Sequence, residues 1–233
     1  MPFPVVRLAR AELRFAPRPW PFAQKLRAEI DAHFAELLRE RPRAFNGRVL
    51  MLHQFAVEDG ILRGAYFETD FASFIAWRDW DFPDPTVKNC FSLGALKAAD
   101  GGFLLGVMGE HTLNAGKVYF PAGTPDPGDI VDGRVDLANS IRREVAEETG
   151  IGVDAYDAED GWYCIPSGSR IAQIKVLHAR ESAAALRARA LAHLASEDMP
   201  ELRDIRIVRG PADLDPMMPP YVTAFLSHVW GGS

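Results

Sequence analysis

The chain has 233 residues, 48% of them hydrophobic and 25% charged, with a formal net charge of -6 and a pI near 5.5. That size and apolar share support a substantial buried core. The acidic balance argues against a long nucleic-acid partner, which usually meets a basic face. No apolar run approaches the ~18 residues of a membrane span, and the N-terminal MPFPVVRLARAELRF lacks a secretory layout, so a cytoplasmic, non-membrane protein is expected. Cys90 and Cys164 offer neither metal-ligand spacing nor a disulfide framework.

In chain order, Phe22, Leu26, Ile30, Phe34, Leu37 and Leu38 recur at helical spacing and predict an amphipathic helix from Trp20 to Glu40, ended by Pro42. RVLMLHQFAV and ILRGAYFET, separated by EDG, read as a hairpin, and Phe71 to Trp80 as a short helix. DWDFPDPT is a loop. Strands follow at CFSLGALKA, FLLGVMG and KVYFPAG, then a long loop TPDPGDIVDGRV. The next helix has Asp136 as its N-cap and Gly150 as its stop. Further strands are expected near Trp162 to Ile165, from Ile171 to His178 and at DIRIVR, with helices from Glu181 to Ser196 and from Pro219 to Trp230. Strands and helices mix without strict alternation, which indicates an α+β or α/β sandwich.

The helix after Asp136 crowds Glu144, Glu147 and Glu148 just before its stop, where like charges repel and oppose the helix dipole. At about 100° per residue, Glu144 and Glu148 share the azimuth of Leu137 and Ile141, so both turn toward the protein body. Buried carboxylates need a proton, a cation such as Arg143, or a divalent metal. Spacings of i, i+3 and i+4 put all three within reach of one or two hard cations with oxygen ligands, in an open site completed by substrate phosphates.

REVAEETGI at residues 143 to 151 resembles the second half of the Nudix box, Gx5Ex7REUxEExGU, with every fixed position of that half present. KVYFPAG resembles the strand and turn that open the box, with Gly123 at the box glycine. The first half departs from the pattern: 19 residues separate Gly123 from Arg143 where the motif has 13, so the loop is 6 longer. Counting back from Arg143 places Val135 at the first glutamate, and Asp132 or Asp136 are candidates to replace it.

The resemblance implies a Nudix-type α/β/α sandwich with a mixed sheet over residues 89–233, preceded by a helical and β extension over 1–88. It also implies metal-dependent hydrolysis of a diphosphate bond in a nucleoside diphosphate linked to another moiety, ADP-ribose-like or UDP-sugar-like compounds leading. By the same resemblance Glu144, Glu147 and Glu148 bind Mg²⁺ or Mn²⁺, Arg143 orients them, and Glu144 or Glu147 assists deprotonation. A base from a later loop is a further expectation, with Glu159, Asp160, Glu197 and Glu201 as candidates. Gly123, Lys117, Tyr119 and Arg170 are candidates for substrate contact, and homodimers are frequent in the family. Two alternatives stand beside this reading: a nucleotide-binding or regulatory module whose altered first half has cost it catalysis, and an isomerase using Cys90 as an acid/base group. Trp77, Trp80 and Trp162 are read as core and Pro166 as a turn proline.

Overall fold

A computed structural model describes residues 3–231. The chain runs β1 (Val6–Leu8), β2 (Arg10–Phe15), α1 (Pro21–Lys25), α2 (Arg27–Glu40), β3 (Arg48–Glu58), β4 (Ile61–Asp70) and α3 (Phe71–Asp79). It continues through β5 (Asn89–Lys97), β6 (Phe103–Met108), β7 (Val118–Tyr119), β8 (Ala122–Gly123), β9 (Ile130–Val131), β10 (Arg134–Val135) and α4 (Leu137–Thr149). The last elements are β11 (Tyr156–Ala158), β12 (Trp162–Ser167), β13 (Arg170–Ala179), α5 (Ala183–Leu194), β14 (Leu202–Val208) and α6 (Pro220–Gly231). No helix of the described residues is long and apolar enough to cross a membrane.

The expected mixed α+β sandwich is the observed architecture. The larger sheet is ordered β1-β12-β13-β5-β6-β14, with β11, β7 and β8 paired to β13, β6 and β5. Its one parallel pair, β13 with β5, lies at the centre, which makes the sheet mixed. β5 is buried on both faces, and its side chains alternate between two helical layers. Gly94 faces α4, where a Cβ would stand 2.6 Å from Val145 Cγ2, so only a glycine lets that helix lie directly on the strand. Phe91 on the opposite face packs edge-on against Tyr221 of α6, and Phe225 of α6 fills the space between Phe103, Phe120 and Tyr163. α5 sits beside α4, tied to it by a hydrogen bond from His193 to the Glu147 carbonyl.

The smaller sheet is ordered β3-β4-β2-β10-β9. One face sends Val49, Met51 and Phe67 against α3 and Trp20; the other sends Leu13, Leu50, Leu52, Leu62 and Tyr66 into the main core. Strands cross from one half of the chain to the other. β1 is the edge strand of the larger sheet, and β9 and β10 extend the smaller one.

Several places differ from expectation: β11 lies where no strand was anticipated, and Pro166, read as a turn proline, sits within β12 paired with Ile171. The helix expected over 20–40 breaks at Leu26, whose φ of -110° and ψ of 27° leave the helical range, giving α1 and α2. The long loop before α4 contains the hairpin β9-β10. β1 and β2 lie where no strand was anticipated, although Val6, Leu8, Leu13 and Phe15 carry the alternation of half-buried strands.

Candidate active site

The site is built on α4 and the β7-β8 turn. Asp136 caps α4 by accepting hydrogen bonds of 3.0 Å from the Ala138 and Asn139 N–H groups. Gly150 ends it in the left-handed conformation at φ 66°. Leu137, Ile141 and Val145 are buried against β5, and this seating carries Glu144 and Glu148 inward. Pro121, Ala122 and Gly123 are clipped to β5 by the Gly94 N–H, which donates to the Pro121 carbonyl at 2.9 Å.

The two inward carboxyls meet this turn. Glu148 is 7% exposed; its Oε1 accepts from the Ala122 N–H at 3.2 Å, while its Oε2 is buried with no hydrogen-bond partner. The Glu144 carboxyl lies against Gly123 so closely that a Cβ there would be 2.3 Å from Oε1. Any side chain at 123 would therefore displace the Glu144 carboxyl. Burial drives both acids up, Glu144 to about 7 and Glu148 well above the usual carboxylate range. Arg143 opposes the shift at Glu144 and the Ala122 N–H opposes it at Glu148, while the charge of Glu201 adds to both.

Arg143 is the hub. Its Nη1 donates to Glu144 Oε1 at 2.8 Å, its Nη2 reaches both oxygens of Asp129 at 3.2 and 3.3 Å, and Glu147 Oε2 stands 3.8 Å away. Glu147 points outward, with 63% of its side chain exposed. Asp129 is fully buried and also accepts from the Asp126 N–H.

Asp129 corrects the reading of the first half of the box. Neither Asp132 nor Asp136 supplies the missing carboxylate: Asp132 is at the tip of the β9-β10 turn with φ 48°, and Asp136 is committed to the helix cap. Asp129 is the sixth residue after Gly123, the spacing of the first glutamate in the pattern that residues 143 to 151 resemble. The six extra residues, 130 to 135, fall after it and fold as the hairpin. Counting forward from Gly123 rather than back from Arg143 finds it.

Gly123, Lys117, Tyr119 and Arg170 come together on one cleft of about 430 Å³, shared with Asn89, Thr124, Arg78 and the rings of Phe91 and Tyr221. Arg170 stacks over Phe82 with its Cζ 5.1 Å from the ring centre. α3, from the N-terminal third, supplies Phe71, Phe74, Ile75 and Arg78 to the same wall. Of the four later acids only Glu201 stands at the site, acting by its charge on Glu144, Glu148 and Tyr119. Glu159 is held by Arg7 and His178, Asp160 offers its carbonyl to Arg7, and Glu197 lies 3.4 Å from His193.

The remaining candidates are structural. Trp77 is fully buried with its indole N–H on the Asp84 carbonyl, Trp80 packs on Phe22 and His33, and Trp162 is buried under Lys175. Cys90 is fully buried and its thiol is pushed up to about 12 by burial, which removes it as an acid/base group at neutral pH.

Among the described residues, no three His, Cys, Asp or Glu side chains are gathered closely enough to enclose a metal ion. The donor chemistry nonetheless fits a hard divalent cation at an open site. Glu148 presents a buried oxygen without a partner, Glu144 is desolvated beside it, and Glu147 stands close by on the outer side.

No protein-family model matches the chain, and no curated protein matches its sequence. Solved structures of similar shape include the MutT protein from Methanosarcina mazei Go1, at 20% identity and TM-score 0.42, over 62% of this chain and 94% of that one. RenU, a Nudix hydrolase from M. smegmatis, is similar at 14% identity and TM-score 0.41, over 61% and 83% of the two chains. A bifunctional NMN adenylyltransferase/ADP ribose pyrophosphatase from Francisella tularensis is similar at 12% identity and TM-score 0.44, over 68% of this chain and 45% of that one. Another structure of the Francisella protein holds AMP and a manganese ion.

Proposed function

We propose that the chain is a Nudix-type diphosphohydrolase that cleaves a nucleoside diphosphate linked to another moiety. Water adds to one phosphorus, the bridging P–O bond breaks, and two monophosphates leave. The observation that carries the reading is the pair of buried carboxyls, one with an unpartnered oxygen, set against Ala122 and Gly123 at the edge of a cationic, aromatic-walled cleft. Such a pair is costly unless a cation or proton compensates it.

Glu148 and Glu144, with Glu147 beside them, would hold Mg²⁺ or Mn²⁺, which neutralises charge on phosphate oxygens when bound. Lys117, Arg170 and Arg78 bind phosphate oxygens from the other side of the cleft. Tyr119 packs at the floor. Arg143, anchored on Asp129, keeps the Glu144 carboxyl against Gly123. Glu144 and, from the β14 side, Glu201 are the carboxylates placed to take a proton from water.

Assay of nucleoside diphosphate derivatives with Mg²⁺ and Mn²⁺ tests the proposal. Turnover of at least one, abolished in Glu148→Gln with the fold intact by circular dichroism, is expected. Full activity in Glu148→Gln would remove the metal assignment. One observation favours a second reading, a binding module without catalysis: Arg143 bonds to Glu144 and approaches Glu147, two of the expected metal ligands. Micromolar nucleotide binding with no turnover under either metal would decide for it.

A further inference from the structure

The carboxylates stand beside two clefts. The second, of about 970 Å³, shares Phe71, Leu113, Asn114, Tyr119 and Ala122 with the first and runs on past Glu201 to the segment 41–47 between α2 and β3. Its volume is at the upper end of the roughly 300–1,000 Å³ typical of small-ligand pockets. A diphosphate lying over Ala122 therefore has room for an organic group on either side.

The far end of the second cleft has an unusual wall. Phe45 is 81% exposed, the most exposed large hydrophobic side chain among the described residues. It is nevertheless held in place: the Ala44 N–H bonds to the Arg41 carbonyl on one side, and on the other Asn46 Oδ1 and the Gly47 carbonyl accept from the Ala72 and Phe71 N–H groups. Its ring lies over Gly47, where an added Cβ would be 3.3 Å from two ring carbons. An apolar ring fixed in solvent at a cleft mouth costs hydration free energy that a stacked ligand would recover.

Two cations line the same cleft. Arg41 donates only to the Glu110 carbonyl at 3.4 Å and Arg43 only to Met199 Sδ at 3.0 Å, and neither has a carboxylate partner among the described residues. Of the acids lining this cleft, Glu110 is taken by Arg203, and Glu40 and Glu201 form no ion pair with either arginine. Guanidinium groups without carboxylate partners in one cleft with an exposed aromatic ring suit a flat heteroaromatic base and the phosphate it hangs from.

We infer that the second cleft is a subsite for a second nucleotide, with its base stacked on Phe45 and its phosphate side facing Arg41 and Arg43. The preferred substrate is then a dinucleoside diphosphate, with one nucleoside in each cleft. This rests on the hydrolase reading and sharpens it from any linked moiety to an aromatic one.

The test compares wild type with Phe45→Ala, Phe45→Trp and Arg43→Ala, using diadenosine diphosphate and ADP-ribose with Mg²⁺. Arg39→Ala, on the exposed face of α2, is the control. Loss of one base stack changes affinity by about tenfold. Expected is a roughly tenfold fall in the ratio of kcat/KM for the dinucleotide over the sugar compound in Phe45→Ala, expressed in KM, with Phe45→Trp restoring it and Arg39→Ala leaving it unchanged. An unchanged ratio in Phe45→Ala, or an equal loss on both substrates, overturns the inference. If the wild type hydrolyses neither compound, the hydrolase reading rests on the wider set of nucleoside diphosphate derivatives, and calorimetric titration with diadenosine diphosphate judges the subsite alone. About tenfold weaker binding in Phe45→Ala supports it; equal binding overturns it.

Discussion

Glu144 titrates at about 7 in the folded chain against an ordinary 4.5, because burial outweighs the pull of Arg143. Below 4.5 folded and unfolded chains both hold the proton and folding carries no penalty; between 4.5 and 7 the unfolded chain releases it while the folded chain keeps it. The folded state then binds more protons, so stability falls as pH rises through that window and stays at the lower level above it. The full effect is at most about 3 kcal/mol, and Glu148 acts in the same direction. Metal-free protein is expected to show a lower Tm at pH 8 than at pH 5.5, with the difference reduced in Glu144→Gln. Mg²⁺ should raise Tm more at pH 8, where it need not displace a proton. A Tm independent of pH across this range would contradict the burial argument. At the same scale, Asp129→Ala removes the buried partner of Arg143 and the acceptor of the Asp126 N–H while Glu144 still pairs with Arg143, and is expected to cost roughly 1–3 kcal/mol in chemical denaturation. Asp129→Glu, which keeps the charge and meets the box pattern, should lose less. The inward turn of Glu144 and Glu148 could be read from helical azimuth alone, whereas Asp129 could not be recognised while the count ran backward through an insertion.

Between residues 130 and 135 the insertion forms an element. Asp132 and Gly133, with φ of 48° and 73°, make the two-residue turn in which both central residues are left-handed, and Arg134 pairs back to Val131. Asp-Gly between IV and RV is a strong short-range hairpin signal, and the expectation of one long loop passed it over. What sequence could not supply is the partner: β10 pairs with Arg14 of β2, more than a hundred residues earlier, and a pairing so remote leaves no local trace. The same holds for β1 and β2, whose alternation is clear but whose sheets are chosen by tertiary packing. Conversely, the helix break at Leu26 contradicts a good apolar period, since Leu26 packs with Ile30, Phe34 and Ala72 while Phe22 turns to the rings of Trp20 and Trp80. Gly133→Ala tests the hairpin directly. No atom lies within 4 Å of where its Cβ would stand, so the whole cost is conformational, about 1–2 kcal/mol of stability. Because the hairpin follows Asp129 immediately, the variant should also loosen Arg143, read as a fall in kcat with KM little changed.

Across the molecule, the N-terminal third is integral to the core. Leu8, Leu13, Leu50, Leu52, Leu62 and Tyr66 belong to the same buried cluster as Leu93, Ile141 and Phe225, and the Tyr66 hydroxyl donates to the Cys90 carbonyl at 2.9 Å. Strand exchange makes the coupling mutual: residues 6–8 complete the larger sheet while residues 130–135 complete the smaller one. Two units joined in this way cannot separate without each exposing a strand edge and a shared apolar face, so their unfolding should be cooperative. Calorimetry of the whole chain is expected to give one transition whose van't Hoff and calorimetric enthalpies agree, and two resolved transitions would refute the coupling. The chain cut at residue 88 should expose Leu50 and Leu52's partners and fail to give that transition alone. Coupling of this kind also bears on the site. α3 contributes Arg78 and Phe74 to the first cleft, and the 41–47 segment contributes Phe45 to the second, so the carboxylates on α4 and both walls that face them are set by one folding event. A mutation in the distant contact between these units, such as Tyr66→Phe, removes a buried hydrogen bond without changing any cleft residue. It should lower Tm, at a cost of about 1 kcal/mol, while leaving KM for a diphosphate substrate near that of the wild type.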